Sequence, residues 1–499
     1  MEIMHAGIHR RYLALPTALV IIAVFAMPSL CYGESLRTWT STSGDTMEAR
    51  YLDEDGNRVI LEDIDGKQFL IHIENLVQDD RLYILDRTGF SGTGSPDAAF
   101  SGDSNLPPDE LNSAIGLNIW DDILLWETGA EDLAAGLGWP MESKTSTSSS
   151  YRLYPANPVR VFDRPAYTMS LHAENGKPVS LSFMFANKGD VARMMNLSPD
   201  TSQSDIRRAY REYPRLIRED SRALNNTLDD LFGASAQMRI GDSIHTEERV
   251  NRWDWNGHVF LLSSQWDEYV SLRIVPSDAV DGSGLERISR GEIQSVIMER
   301  VTHRDNGDVI LDDIPMVDQG PKGYCVPATW ERVLRYMGIP ADMYVLAMAG
   351  ETGIGGGTSI RKISDGAGQL VRRHGRNIRT RRAQINEREI ARYIDQGIPI
   401  IWTMFVVNEL DSAINRRTRE RQTVSDWDEW NDNLDTVRRE ARRIRTDPSQ
   451  GHLCMIIGYN SRTGELAVSD SWGPAYAERW MTLEEAEAVS RGEFTIISP

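Results

Sequence analysis

The sequence predicts a multidomain α+β protein: a small N-terminal β-barrel, then a middle α+β domain, then a C-terminal α+β domain. Three observations carry this. Residues 34–86 alternate apolar and polar side chains around Asp55-Gly56 and Asp65-Gly66 turns, the pattern of short strands joined by tight hairpins. Residues 109–300 mix strand-like runs with a long polar stretch of helical spacing. Residues 301–499 place an amphipathic helix directly after a glycine-bearing loop, with apolar strands further on. At 499 residues the chain can bury several separate cores.

Residues 1–33 stand apart from the fold. His9, Arg10 and Arg11 precede an apolar run, Leu13 to Leu30, which ends in Cys31-Tyr32-Gly33. Small residues at 31 and 33 suit cleavage before Glu34, so the segment reads as a secretory signal peptide. The mature protein is then secreted, periplasmic or held in the cell envelope. The run is near the minimum for spanning a bilayer, so an uncleaved anchor is the alternative, and only then is membrane contact expected. A net charge of −20 argues against nucleic acid as a partner.

Residues 34–86 give a small meander or barrel of about four or five strands, with Trp39 read as core in preference to a ligand platform. Residues 87–108 are rich in Gly, Ser, Asp and Pro and read as a flexible linker. In residues 109–300 the pattern gives a helical start over 111–126, then strands at 150–154, 166–173 and 179–186. A polar helix over 204–231 follows, and then strands at 249–263 and 269–275. Trp253, Trp255 and Trp266 lie along the last hairpin. They read as cross-strand packing, with a carbohydrate or peptide platform as the alternative. No metal-ligand spacing or phosphate-cradling loop occurs, so no cofactor or metal is expected. Gly353 to Gly357 reads as a mobile loop at a cleft rim.

The C-terminal part, residues 301–499, carries the chemistry. A strand over 313–317 leads into Gln319-Gly320-Pro321-Lys322-Gly323-Tyr324-Cys325, and a helix over 326–337 follows. The positive end of a helix favours the thiolate, which is the nucleophilic form of cysteine. A thiolate needs a base, and the base needs an orienting group. His452 opens an apolar strand that runs to a Gly458-Tyr459-Asn460 turn, and a second strand, 466–468, leads to Asp470. Such a hairpin sets Asp470 beside the imidazole while His452 faces Cys325. The Gln319 amide can donate to an oxyanion together with the Cys325 N–H. Further helices are expected within 360–374 and over 387–396, and a strand over 398–405. Residues 406–450 then form a helical insertion near the cleft entrance. Its arginines read as a solvated face, with recognition of an acidic substrate as the alternative. Cys454 reads as a small buried hydrophobe, with an oxidative disulfide to Cys325 as the alternative.

Gln319-Gly320, Gly323 and Cys325, then His452, then Asp470-Ser471-Trp472-Gly473 resemble the papain-like cysteine peptidases over about residues 310–499. The Asp is closer to the bacterial branch that includes the double-glycine leader peptidases, and Val326 stands where papain-type enzymes carry an aromatic. The resemblance implies a papain-like fold, a helix set against an antiparallel β-barrel. It also implies hydrolysis of a peptide or protein substrate by Cys325, His452, Asp470 and Gln319. Leader peptidases are usually fused to a transporter, and leader processing is not implied here. Rival readings are an inactive papain-like adaptor, a transpeptidase or amidase using the same thiol, and a propiece role for residues 34–300. Separately, Arg37-Thr38-Trp39-Thr40, the Asp-Gly hairpins and Ile73 to Leu76 resemble the Sla-homology small barrel. That likeness implies a binding or spacer module through which an envelope or extracellular protein could dock.

Overall fold

Among the described residues every sheet in the computed structural model is antiparallel, and the chain divides into two compact units, residues 1–98 and 99–499. The structure describes residues 36–84 except 42–43, 56–57, 78–79 and 81–82, and residues 106–499 except 122–123, 196, 198–200, 242–244, 266–267 and 282–287. The signal-peptide segment, nearly all of the linker and Trp266 lie outside the described residues. Among the described residues no helix is long and apolar enough to cross a membrane.

In the first unit, β1 (Arg37–Thr40), β2 (Thr46–Asp55), β3 (Arg58–Glu62) and β4 (Gln68–His72) form a meander. The Asp65-Gly66 turn is shaped by Asp63, whose carboxylate accepts from the N–H groups of Asp65 and Lys67 at 3.0 and 2.9 Å. Past β4 the chain returns to β1: the Val77 N–H donates to the Thr40 carbonyl at 2.9 Å, and Ser41 bridges Leu76. Trp39, Ala49, Val59 and Leu61 fill the interior, so Trp39 is core.

The second unit begins with α1 (Pro108–Ile115), which ends at Gly116 in the left-handed region, φ 78°. The expected helix over 111–126 therefore stops after two turns. Asn112 then takes the N–H groups of Ile119 and Trp120 on its side chain, which turns the chain away. An eight-stranded sheet follows. Its strands are β5 (Met141–Lys144), β6 (Ser148–Leu153), β9 (Thr168–Glu174), β10 (Lys177–Asn187), β11 (Ala236–Ile240), β12 (Glu248–Trp255), β13 (His258–Gln265) and β14 (Tyr269–Pro276). They lie in the order β11-β12-β13-β14-β10-β9-β6-β5, while β7 (Val159–Val161) and β8 (Arg164–Ala166) make a separate ribbon. The helix α2 (Gln203–Phe232), capped by Ser202, lays Tyr213, Ile217, Leu224 and Leu228 on this sheet's core. Trp253 and Trp255 belong to the same core, so the packing reading of these two is the one observed.

The C-terminal sheet runs β15 (Val301–His303), β16 (Asp308–Leu311), β19 (Gly451–Asn460), β18 (Ile400–Phe405), β22 (Ser490–Ser498) and β17 (Asn377–Arg382). Off this path, β20 (Glu465–Ser469) pairs with β19 and with β21 (Arg479–Thr482). Helices α3 (Cys325–Tyr336), α4 (Met343–Ala349), α5 (Ile360–Arg373), α6 (Glu387–Ile394), α7 (Asn408–Arg421) and α8 (Trp427–Ala441) pack around it.

Three expectations change here. Residues 313–317 form no strand, because their backbone is met by side chains: the Met316 N–H donates to Ser143 Oγ at 2.9 Å. β19 continues through Gly458 to Asn460, past a register shift between Ile456 and Gly458, and the turn comes after it. The insertion does form two helices, but two of its arginines are not solvated. Arg421 is buried between Asp308 (2.6 Å) and Glu465 (3.2 Å) with its guanidinium over Trp480, and Arg417 is buried against Glu485.

Candidate active site

The helix α3 presents one face to the hairpin, and that face carries the thiol. Cys325, Thr329 and Arg332 recur at i, i+4 and i+7, so they stand in one row. Thr329 Oγ1 donates to the Leu453 carbonyl at 3.1 Å and lies 3.3 Å from Ser471 Oγ. Arg332 is fully buried and donates to the Pro315 carbonyl at 2.9 Å and to Ser469 Oγ at 2.5 Å. Burial brings its guanidinium down to about 10. These contacts fix the helix against both strands of the hairpin, one turn and two turns beyond the cysteine.

The predicted residues come together. On one side His452, second in β19, feels the Cys325 thiol, which helps raise the imidazole, and the Thr329-to-Leu453 bond holds the two elements together there. On the other, its Nε2 lies 2.7 Å from Oδ1 of Asp470, which directly follows β20. With Nε2 engaged by Asp470, Nδ1 is the atom left for the sulfur. Trp472 stacks on the imidazole with ring centroids 4.5 Å apart, covering the pair from solvent.

The electrostatics are those of an ion pair. Burial by itself would lower His452, but the hydrogen bond to Asp470, the neighbouring Cys325 thiol and the charges of both raise it to about 10. Burial would raise the Cys325 thiol, yet His452 and the backbone N–H groups of Leu453 and Val326 hold it below its ordinary value. Asp470 is also held low against its burial, first by the Arg479 guanidinium and then by His452. Such a pair keeps a thiolate beside a protonated imidazole, which is a nucleophile with a proton ready for a leaving group.

Arg479 is a site residue that no local pattern announces. Its Nε donates to Oδ2 of Asp470 at 3.0 Å, and its Nη1 reaches Asp411 (3.0 Å) and Asn415 (3.2 Å) on α7. The insertion therefore supports the carboxylate from behind.

Gln319 sits in the loop before the thiol. Its N–H donates to the Ser471 carbonyl at 2.9 Å and its Nε2 donates to the Lys322 carbonyl at 2.8 Å. One Nε2 hydrogen is thus used, and the other is available for a bound group. The Gly353–Gly357 segment, expected to be mobile, is stitched in. The Gly357 N–H donates to the Gly323 carbonyl at 3.2 Å, the Gly355 N–H to Lys188 at 2.9 Å, and Gly356 bridges Gly323. Gly356 has φ 112°, and a Cβ there would lie 2.3 Å from Gly323 Cα, so the approach requires two glycines.

Neither Cys325, half-buried, nor Cys454, buried, is in a disulfide, and the Cys454 Sγ lies 3.5 Å from Met404 Sδ. Burial pushes the Cys454 thiol well up, so it packs as a small hydrophobe. Among the described residues no group of three or more His, Cys, Asp or Glu could hold a metal ion.

Residues 311–494 match the family model of the Peptidase_C39 like family. The match contains Gln319, Cys325, His452 and Asp470 and supports a papain-like peptidase domain over this stretch. It does not reach the N-terminal four-stranded sheet or residues 109–300. No curated protein matches the chain significantly.

Proposed function

We propose that the protein is an exported cysteine peptidase that hydrolyses peptide bonds with Cys325, His452 and Asp470, assisted by Gln319. The observation that carries this reading is His452 set 2.7 Å from Asp470 on a strand that is bonded, at Leu453, to the helix that begins with Cys325, with the thiol held below its ordinary value by His452. The thiolate attacks the peptide carbonyl carbon, and the oxyanion takes the free Gln319 N–H and the Cys325 backbone N–H. The tetrahedral adduct collapses as the imidazolium protonates the departing amine, breaking the C–N bond and leaving a thioester. Water then gives its proton to His452 and its oxygen to the acyl carbon, and the acid and the thiolate are released.

The apolar run before Gly33 supports export, and the strand pattern with the Arg37-to-Thr40 opening supports a Sla-homology-type module for docking an envelope or extracellular protein. Peptide hydrolysis by the purified chain, set beside Cys325→Ala, tests the activity. Wild-type turnover lost in the variant supports it, and equal turnover in both overturns it. An N-terminus at Glu34 in exported material checks the address.

A further inference from the structure

Residues 109–300 have no assigned role, yet their sheet grips the loop that carries Gln319. The Lys322 ammonium is fully buried, 2.8 Å from Asp190 Oδ2, 3.2 Å from Tyr344 OH and 3.4 Å from Thr168 Oγ1. Its charge also faces the rings of Tyr154, Tyr324 and Tyr344 at 5.0 to 5.8 Å. Asp190 is held in place by Asn187, whose Nδ2 donates to Oδ2 at 2.6 Å. On either side the same surface holds the backbone. Tyr154 OH donates to the Asp318 carbonyl at 2.6 Å, the Asp318 N–H donates to Glu142 Oε1 at 2.7 Å, and the Gly189 N–H donates to Tyr324 OH at 3.0 Å. Met184 and Tyr269 of the middle sheet share one apolar cluster with Val317, Tyr324 and Tyr344.

The consequence reaches the amide of Gln319. Lys322 turns its side chain to Asp190 and its carbonyl to Gln319 Nε2, so one residue joins the middle sheet to the oxyanion side of the site. Packing alone would be served by an apolar side chain, since a buried ion pair costs desolvation that a hydrophobe avoids. What the pair supplies is a single depth and direction for the loop, because a buried ammonium has one carboxylate to meet.

We propose that Lys322 and Asp190 are positioning residues: residues 109–300 act as an internal scaffold that holds the Gln319 loop in register with Cys325. The proposal rests on the peptidase reading only for its kinetic consequence. Misplacing a catalytic group by about 1 Å can cost on the order of 10²-fold in rate. Replacing both charges with apolar groups of similar size avoids stranding either one.

The test is the full chain carrying Lys322→Met with Asp190→Leu. It should show kcat lowered by about 10- to 100-fold with KM nearly unchanged. Alkylation of Cys325 by iodoacetamide uses no oxyanion donor, so its pH profile should be that of the wild type. Amide hydrogen exchange over residues 318–324 should be faster, with α3 unchanged. Unchanged kcat and unchanged exchange, even with a lower melting temperature, would overturn the proposal and leave simple domain packing. Loss of the alkylation profile would also overturn it, because the pair would then act on the thiol. If the double variant does not fold, Tyr154→Phe removes a single hydroxyl from the same grip. It should give the same split in smaller measure, and wild-type kinetics and exchange there overturn the proposal. A wild-type chain with an acid-reactive thiol and no peptide hydrolysis would sink the peptidase reading alone. Exchange over 318–324 would then still decide the scaffold.

Discussion

Asp470 divides its two oxygens between two partners: Oδ1 lies 2.7 Å from His452 Nε2, and Oδ2 accepts from Arg479 Nε at 3.0 Å. The carboxylate is fully buried, so its charge depends on both contacts. Removing the guanidinium leaves that charge beside an imidazolium only. Arg479→Met should destabilise the protein by about 3–5 kcal/mol, read from the chemical denaturation midpoint. The sign with pH follows from Asp470 being held below its ordinary 3.8. Its stabilising contribution is present above 3.8 and is lost as pH falls through the lowered value. In Arg479→Met that acid loss should begin at higher pH. An unchanged acid limb would mean that His452 alone sustains the carboxylate.

The thiol gives a second test. Cys325 is held below its ordinary 9.0 and His452 rises to about 10, so thiolate and imidazolium coexist between those limits. Alkylation of Cys325 by iodoacetamide should persist below pH 9, and hydrolysis should fall on an alkaline limb near 10 as the imidazolium loses its proton. His452→Gln should move the alkylation limb back toward 9. A wild-type limb already at 9 would show that no ion pair forms.

Gln319→Ala separates stabilisation of the oxyanion from activation of the thiol. It should lower kcat by about 10²–10³ with little change in KM, as loss of one oxyanion donor does. Its low-pH alkylation should match the wild type. A kcat within a factor of two or so of wild type would remove Gln319 from the proposed mechanism.

The positions of Gln319, Cys325, His452 and Asp470 were legible because each stands in a local pattern: a loop before a helix, the start of a strand, the end of its hairpin partner. Arg479, Asp411 and the Lys322–Asp190 pair were not, since what defines them is a partner elsewhere in the chain. Asp190 is 132 residues from Lys322, and a charged residue in a strand or loop carries no sign of being buried. The same cause explains residues 313–317. Ile314, Met316 and Val317 are apolar as a strand's residues are, but the Met316 N–H goes to Ser143 in place of a neighbouring strand. The cross-strand packing expected of Trp253 and Trp255 and the core place expected of Trp39 were legible, because a strand's alternation limits which face a side chain takes.

Arg421 tests whether the insertion is structural or only peripheral. Its guanidinium bridges Asp308 and Glu465 under Trp480, and both carboxylates are buried. Arg421→Met should cost about 3–5 kcal/mol, because two buried charges lose their partner. A loss under about 1 kcal/mol would return this arginine to the class of exposed ion pairs.

Gly356→Ala tests the glycine contact at the front of the loop. The added methyl would meet the Gly323 backbone at 2.3 to 2.7 Å, and φ 112° is itself unfavourable for alanine. Backbone cannot move aside as a side-chain tip can, so the strain must pass into residues 320–325 or into the Gly353–Gly357 segment. The Gly357-to-Gly323 and Gly355-to-Lys188 hydrogen bonds resist movement of that segment, which directs the shift toward Gln319 and Cys325. The expected result is a kcat lower by at least about tenfold, with stability reduced by about 1–3 kcal/mol. Gly355→Ala is the control, because no atom lies within 4 Å of its Cβ and only the φ penalty applies. If both variants lose the same stability and neither loses kcat, the loop is strained but does not bear on the thiol.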